Sequence, residues 1–399
     1  MRFRWFTLAA ALLALFVLPA AAQEKNSTGF AAEAVKPYIE SGECPGAISI
    51  FIKPGAQEIA LLGWADVDKK IPMSLDRTFM QCSQTKGFCG VTIAMLVEEG
   101  RISLDDPVAK YLPEFKTLCI AGRDDKGIPT RTAAKNALTI RMVMNHTGGF
   151  PFEIPTKVKN GWPSLPLRDT AREAAANPIL FEPGTNFRYS NTGIDIGAAI
   201  IEVVTGKPWD VFLKERVLDP LGMKDTTFNP TDEQLSRAIS MYDLHSGKPA
   251  TFRLYNKWMP LPHNGPKVFP SAGAGLWTTA ADQVKFYKML MNLGVGDNGV
   301  RILKEDTVRK LLATSTRPEG LGEYSLGLWT DSKLGTMGHG GAWKTSCQVN
   351  WKKKQLRLWV VQQNGKPQPW VKAWRAAAEK FFAAKEDGSA SDAYTGRLD

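Results

Sequence analysis

The chain has 399 residues, 44% of them hydrophobic and 12 of them tryptophan, enough to bury a large core in one big domain or two interleaved lobes. Its 50 Lys and Arg outnumber 40 Asp and Glu, a formal charge of +10, but the basic residues are scattered. Apart from Lys352-Lys353-Lys354 there is no basic run and none interleaved with aromatics, which excludes a nucleic-acid track and reads as a solvated surface.

The first 22 residues have the form of a secretory signal: Arg2 and Arg4, an apolar stretch from Trp5 to Pro19, and Ala20-Ala21-Ala22 as a small-residue cleavage site. The mature chain is expected to begin at Gln23, with a formal charge of +8. An uncleaved anchor is the rival reading, but Trp5 to Ala22 is at the short end of what spans a bilayer. With no cysteine near Ala22 there is no lipoprotein anchor, so the expected location is secreted or periplasmic, without a stable membrane span after cleavage. Cys44, Cys82, Cys89, Cys119 and Cys347 are too few and too spread for a disulfide framework, and at least one stays unpaired. The four histidines lack metal-ligand spacing, so neither a metal nor another cofactor is expected.

In chain order, Phe30 to Ser41 reads as an amphipathic helix, followed by strands Gly46 to Ile52 and Glu58 to Trp64 joined at Pro54-Gly55. Ser83 to about Glu99 reads as a helix apolar nearly all round, the pattern of a helix buried in a core. Thr117 to Lys135 is polar and irregular, an excursion over the surface. Three further helices are expected from Thr139 to about Leu218, separated at Pro183-Gly184 and Gly206-Lys207-Pro208. Ala281 to Leu293 is a helix; Tyr324 to Trp329, Thr336 to Gly341, Ser346 to Trp351 and Leu356 to Gln363 are strands; Pro369 to Ala384 is a closing helix, and residues 386–399 form a polar, disordered tail. Sheet elements at both ends imply an α/β (α+β) domain over 23–385. Its α/β lobe comprises about 30–82 and 270–384, a mostly helical lobe of about 83–269 is inserted, and the site lies in the cleft between them.

Ser83 and Lys86 form the one S-x-x-K in the chain. In a helix, positions i and i+3 share a face, so the lysine amine reaches the serine hydroxyl. Burial disfavours the ammonium form, which makes such a lysine a base near neutral pH. The motif arises about once by chance in a chain of this length, so its meaning depends on the motifs that accompany it downstream. Tyr189-Ser190-Asn191, the one Y-x-N, sits at the head of an apolar helix from Ile194 to Val204. Its tyrosine could serve as a phenolate-like base or proton relay; the competing reading is a helix-capping asparagine after a packed aromatic. His339-Gly340-Gly341-Ala342 ends a strand, and its two glycines suggest another chain approaching the backbone, as a substrate does when it adds to a sheet edge.

Together these motifs resemble the serine β-lactamase-related family: class C β-lactamases and their penicillin-binding, DD-carboxypeptidase, D-aminopeptidase and esterase relatives. The resemblance extends through Asn145-His146-Thr147-Gly148-Gly149, Glu182-Pro183-Gly184, Asp219-Pro220-Leu221-Gly222 and Ala272-Gly273-Ala274-Gly275-Leu276. It implies a β-lactamase/transpeptidase-like fold, an antiparallel sheet flanked by helices. It also implies Ser83 as acyl-accepting nucleophile, Lys86 as its base, Tyr189 as second acid and base, and Asn191 as the group orienting Lys86 and substrate. The N–H groups of Ser83 and Ala342 would form the oxyanion hole; His339, Gly340 and Gly341 would contact substrate, and His146 would be structural. Departures bear on the substrate. His339-Gly340-Gly341 stands where β-lactamases carry K-T-G, losing the cation that pairs with a β-lactam carboxylate; Lys344 and Ser346 stand where relatives often have glycine and aspartate. The expectation is an exported serine hydrolase acting on an ester or a small or D-residue amide, a small molecule or peptide that could derive from the cell wall. A β-lactamase, or a catalytically silent relative that binds such ligands, is the alternative.

Overall fold

The structure is a computed structural model that describes residues 29–153, 165–245, 251–254, 269–365 and 368–384. The signal, its cleavage site and the tail lie outside the described residues.

The chain begins with α1 (Phe30–Glu40), β1 (Gly46–Lys53), β2 (Ala56–Asp66), β3 (Ile71–Pro72) and β4 (Thr78–Met80). A one-turn 3₁₀ segment, Cys82–Gln84, leads into α2 (Thr85–Glu98). The middle holds a hairpin, β5 (Cys119–Arg123) and β6 (Pro129–Ala133), then α3 (Ile140–Met144), α4 (Leu167–Ala176) and α5 (Asn191–Thr205). After β7 (Tyr242–His245), β8 (Thr251–Leu254) and β9 (Trp277–Thr279) come α6 (Ala280–Met291), β10 (Trp329–Asp331), β11 (Thr336–Gly340), β12 (Ser346–Asn350), β13 (Gln355–Val360), β14 (Gln363–Asn364) and α7 (Trp370–Ala383).

The main sheet has the order β10-β11-β12-β13-β1-β2-β3, with every neighbour antiparallel. Its centre joins the two ends of the chain, Ile50 opposite Leu358. Side chains alternate across β1, as the two-residue strand period requires. Ile48 and Ile50 enter the large core with Phe88 of α2 and Phe286 of α6, whose rings stack at 3.7 Å; Ala47 and Phe51 enter a second core with α1 and α7. The first turn of α1 has no capping side chain of its own; both Glu58 carboxylate oxygens accept its N–H groups, from Phe30 at 2.9 Å and Ala31 at 2.7 Å.

Several expectations are corrected. Residues Thr117 to Lys135 are not irregular: they contain the β5–β6 hairpin, paired from Cys119↔Ala133 to Arg123↔Pro129. Backbone bonds hold it with β6 exposed throughout, so it carries no hydrophobic alternation to read. Among the described residues four α-helices, not three, lie between Thr139 and Leu218, because Trp209–Leu213 adds a short one after the left-handed Gly206, running on into a π-helical turn at Lys214–Leu218. Tyr324 to Leu328 is a turn rather than a strand, its ends bridged Tyr324↔Trp329 where β10 begins. Gly327, at φ 76°, lies so close to the Lys86 carbonyl that a Cβ there would meet it at 2.2 Å, and Gly90 of α2 has no room for a side chain beside Leu326. This turn is thereby pressed against the helix that carries the nucleophile. The last strand stops at Val360, and a positive φ at Gln362 separates it from β14.

Candidate active site

Ser83 lies in the 3₁₀ turn, not in α2 itself, and Lys86 is in the first turn of α2. A 3₁₀ turn eclipses positions i and i+3, which brings Lys86 Nζ to 3.3 Å from Ser83 Oγ. Lys86 is fully buried, and its amine has two further partners, Asn191 Oδ1 and the Gly273 carbonyl, both at 2.6 Å. Both are pure acceptors. A neutral amine has two hydrogens for these two oxygens, which leaves its lone pair for the Ser83 hydroxyl. Burial lowers the lysine to about 7, so the neutral form is populated at physiological pH.

Asn191 is free for this contact because it is not the cap of α5. Ser190 is the cap, its Oγ accepting from Gly193 N at 3.1 Å, and Asn191 is the first helical residue. Asn191 Nδ2 donates to Glu153 Oε1 at 3.2 Å, and Gly273 has to be glycine, since a Cβ there would stand 2.7 Å from the Asn191 side chain.

The Tyr189 hydroxyl faces the Ser83 side chain, which favours its ionised form, and the Tyr189 ring lies 4.7 Å from Lys86 Nζ. Burial raises its hydroxyl above the usual 10, so it rests as a phenol; this fits a proton relay rather than a phenolate base. His339 is buried on β11. Its Nδ1 is 2.6 Å from the Gly340 carbonyl, which can only accept, so the proton is on Nδ1 and Nε2 is an acceptor. Tyr324 OH at 3.2 Å and Tyr189 OH at 3.5 Å both face Nε2. Burial, reinforced by the nearby Lys86, holds His339 down to about 3, so it is a neutral group throughout the physiological range. His146, outside the catalytic set, packs its ring 4.5 Å from that of Tyr189 and 4.7 Å from that of Tyr324, and accepts from Ser190 N.

The two glycines after His339 differ in purpose. At Gly341 the chain that comes close is the protein itself: a Cβ would meet the Gln81 carbonyl at 2.4 Å and Thr345 Oγ1 at 2.2 Å. Gly340 has only the Thr345 carbonyl within reach, at 3.6 Å. Because β10 pairs with β11 only as far as Gly338, the edge beyond it at His339 and Gly340 is without a partner from β10. The N–H groups of Ala342 and Trp343 face the sulfur of Cys82, the residue before the nucleophile, which itself sits at φ 52°. A thiol is a weak acceptor, so it holds these N–H groups only loosely. Lys344 adopts a left-handed φ of 60°.

The Beta-lactamase family's sequence model matches residues 31–381. The chain belongs to the Beta-lactamase family. This Beta-lactamase family member is 32% identical over 285 residues to protein Rv1367c of Mycobacterium tuberculosis (strain H37Rv), an alignment covering 69% of each chain. It is 29% identical over 222 residues to protein flp of Staphylococcus aureus (strain MW2), 55% of this chain and 42% of that one. Among solved structures it is similar to EstCE1, a hydrolase with promiscuous acyltransferase activity, at a TM-score of 0.69 and 23% identity over 90% of this chain and 99% of that one. It is also similar to simvastatin synthase (LovD) from Aspergillus terreus, at 0.74 and 17% over 89% and 98%. These likenesses define a Beta-lactamase-type fold shared with hydrolases and acyltransferases. Among the described residues no helix is long and apolar enough to cross a membrane, and all five cysteines are free thiols.

Four participants escaped the motif reading. Asp195 had a visible signal, an acid between Ile194 and Ile196 in an apolar helix, and Gly273 lay inside a motif already singled out. Tyr324 and Glu153 had none, since only the folded chain brings them to His339 and Asn191.

Proposed function

We propose that this protein is an exported serine hydrolase, secreted or periplasmic, that forms an acyl-enzyme on Ser83 and acts on an ester or a small or D-residue amide. The observation that carries the reading is the buried Lys86 amine, 3.3 Å from Ser83 Oγ, with two further acceptors, Asn191 Oδ1 and the Gly273 carbonyl, at 2.6 Å. Lys86 takes the hydroxyl proton as Oγ bonds to the substrate carbonyl carbon. The resulting oxyanion is held by the N–H groups of Ser83 and Ala342. As the tetrahedral intermediate collapses, the bond to the leaving group breaks, Tyr189 gives that group its proton, and the Lys86 ammonium beside it returns one to Tyr189. Water then attacks the acyl-enzyme by the same route in reverse, releasing the acid and restoring Ser83.

Two features support an ester or amide over a β-lactam. His339 is neutral and offers no charge to a β-lactam carboxylate. Arg317 is committed to packing among the rings of Phe187, Tyr324 and Trp329, with Nε and Nη1 donating to the Asn145 and Leu321 carbonyls. The test is turnover of p-nitrophenyl esters, D-alanyl peptides and a chromogenic cephalosporin by purified protein, with mass spectrometry of a fluorophosphonate adduct. The expected result is an adduct on the Ser83 peptide, with the best ester or peptide exceeding the cephalosporin in kcat/KM. An adduct elsewhere, or a cephalosporin as the best substrate, refutes the reading.

A further inference from the structure

Helix α5 holds the base twice. Asn191, its first residue, contacts the Lys86 amine directly. Asp195, one turn on and therefore on the same face, contacts the loop that makes the other bond. The Asp195 carboxylate accepts from Gly273 N at 3.1 Å and Ser271 Oγ at 3.2 Å. The same Gly273 residue that is fixed through its N–H presents its carbonyl to Lys86 Nζ. Asp195 is buried and lies inside an apolar helix, where an ionisable group costs folding free energy that packing alone does not explain.

We propose that Asp195 is the positioning residue of the catalytic base: it pins the Ser271–Gly273 loop so that the Gly273 carbonyl takes one amine hydrogen and the lone pair of Lys86 stays on Ser83. This rests on Ser83 acting as nucleophile and Lys86 as its base. Without the pin the carbonyl drifts, the amine turns, and the nucleophile loses its base even though Ser83, Lys86 and Tyr189 are all present.

The carboxylate also acts on the amine through charge. Burial raises Asp195 to about 7 and lowers Lys86 to about 7, so the two titrate in the same range, and each ionised form stabilises the other. The other groups facing Lys86 are Cys82 and Cys89 from its own stretch, Glu153, Tyr189, His146 and His339. Burial pushes both thiols and the phenol up and both imidazoles down, out of the neutral range, and Glu153 is exposed to solvent. Asp195 is thus the buried group around the amine that changes charge near neutrality.

Hydrolysis of p-nitrophenyl acetate by wild type, Asp195→Asn and Asp195→Ala, followed from pH 5 to 9, tests this. Asp195→Ala removes the pin and should lower kcat roughly 10- to 100-fold with KM little changed, the range a misplacement of about 1 Å produces. Asp195→Asn retains an acceptor for Gly273 N but no charge. It should keep most of the plateau rate while the acid limb of kcat/KM moves to lower pH by roughly half a unit or more, because losing a neighbouring anion makes the ammonium of Lys86 less stable. A merely structural aspartate would lower Tm without moving that limb. Wild-type kcat in Asp195→Ala, or an acid limb in Asp195→Asn that coincides with wild type, overturns the proposal; if the alanine variant does not fold, the asparagine variant decides. Wild-type protein that forms no adduct on Ser83 overturns the functional reading as well, whereas an active, Ser83-labelled wild type with unaltered variants overturns this proposal alone.

Discussion

The hydroxyl of Tyr324, a fully buried residue, lies 3.2 Å from Nε2 of His339, closer than the Tyr189 hydroxyl at 3.5 Å. One acceptor nitrogen thus faces two phenols, and the nearer occupies it, which leaves the Tyr189 proton free of His339. Tyr324→Phe should hand Nε2 to Tyr189 and draw that proton away from the nucleophile. The expected loss is roughly 10-fold in kcat/KM for a neutral ester, about 1.4 kcal/mol, carried by kcat. Unchanged kcat in a folded Tyr324→Phe protein would show that the Tyr189 proton is not shared in this way.

Lys86 and Tyr189 flank the same hydroxyl, so their substitutions should not multiply. Lys86→Met preserves stem volume, removes the base, and should slow acylation roughly 10²- to 10⁴-fold; Tyr189→Phe should cost a similar factor. The double variant should lose much less than the product of the two, because both act on one proton path. Single-turnover acylation rates of the four proteins measure the coupling, and strictly multiplicative losses would make the residues independent.

Gly273→Ala probes the loop from its other side. A Cβ 2.7 Å from the Asn191 side chain forces apart the two oxygens that hold Lys86. The expected effect is a fall in kcat of about 10²-fold with the secondary structure intact by circular dichroism. Wild-type kcat would mean that the amine keeps its orientation without either contact.

His339 should make stability depend on pH. In the folded protein it titrates near 3 instead of the usual 6.5, so below pH 6.5 the unfolded chain binds a proton that the native state refuses. Its contribution is intact above 6.5 and is lost as pH falls toward 3. The Tm advantage of wild type over His339→Asn should therefore be largest above pH 6.5 and shrink by pH 4; an advantage constant from pH 7 to 4 would contradict the neutral, buried imidazole. Asp195, raised to about 7, works with the opposite sign, losing its contribution as pH rises from 3.8 to 7, which is why the comparison of variants is the informative one.

The parts of the site readable in the sequence are those whose geometry is local. Ser83 and Lys86 are three residues apart, and one helical turn is enough to relate them. The fold's outer frame was equally legible, since Gly46–Lys53 is an apolar run closed by the Pro54-Gly55 turn, and Ala280–Met291 and Trp370–Ala383 carry helical periodicity. What could not be read depends on contacts between distant segments. Asn191 has the look of a capping residue until Ser190 is seen to take that place. Gly341 looked like room for a substrate, but the Gln81 carbonyl fills the space. Tyr324 looked like part of a strand because an apolar, aromatic run reads the same whether it lies in a sheet or folds into a turn against a helix.

The pairing of β1 with β13 makes the middle of the sheet depend on residues far downstream in the chain. Trp374 Nε1 donates to Ser49 Oγ at 2.8 Å across 325 residues, and Lys53 Nζ donates to the Phe381 carbonyl at 3.0 Å across 328. Until β13 and α7 are in place, β1 and β2 are a hairpin with one unpaired edge and an uncovered apolar face, a species prone to aggregate. Loop-closure entropy for so distant a pairing must be met before any of these contacts forms, which makes folding slow as well as late. A chain stopped before β13 would carry an intact Ser83-x-x-Lys86 and yet have no sheet centre for its nucleophile helix to pack on.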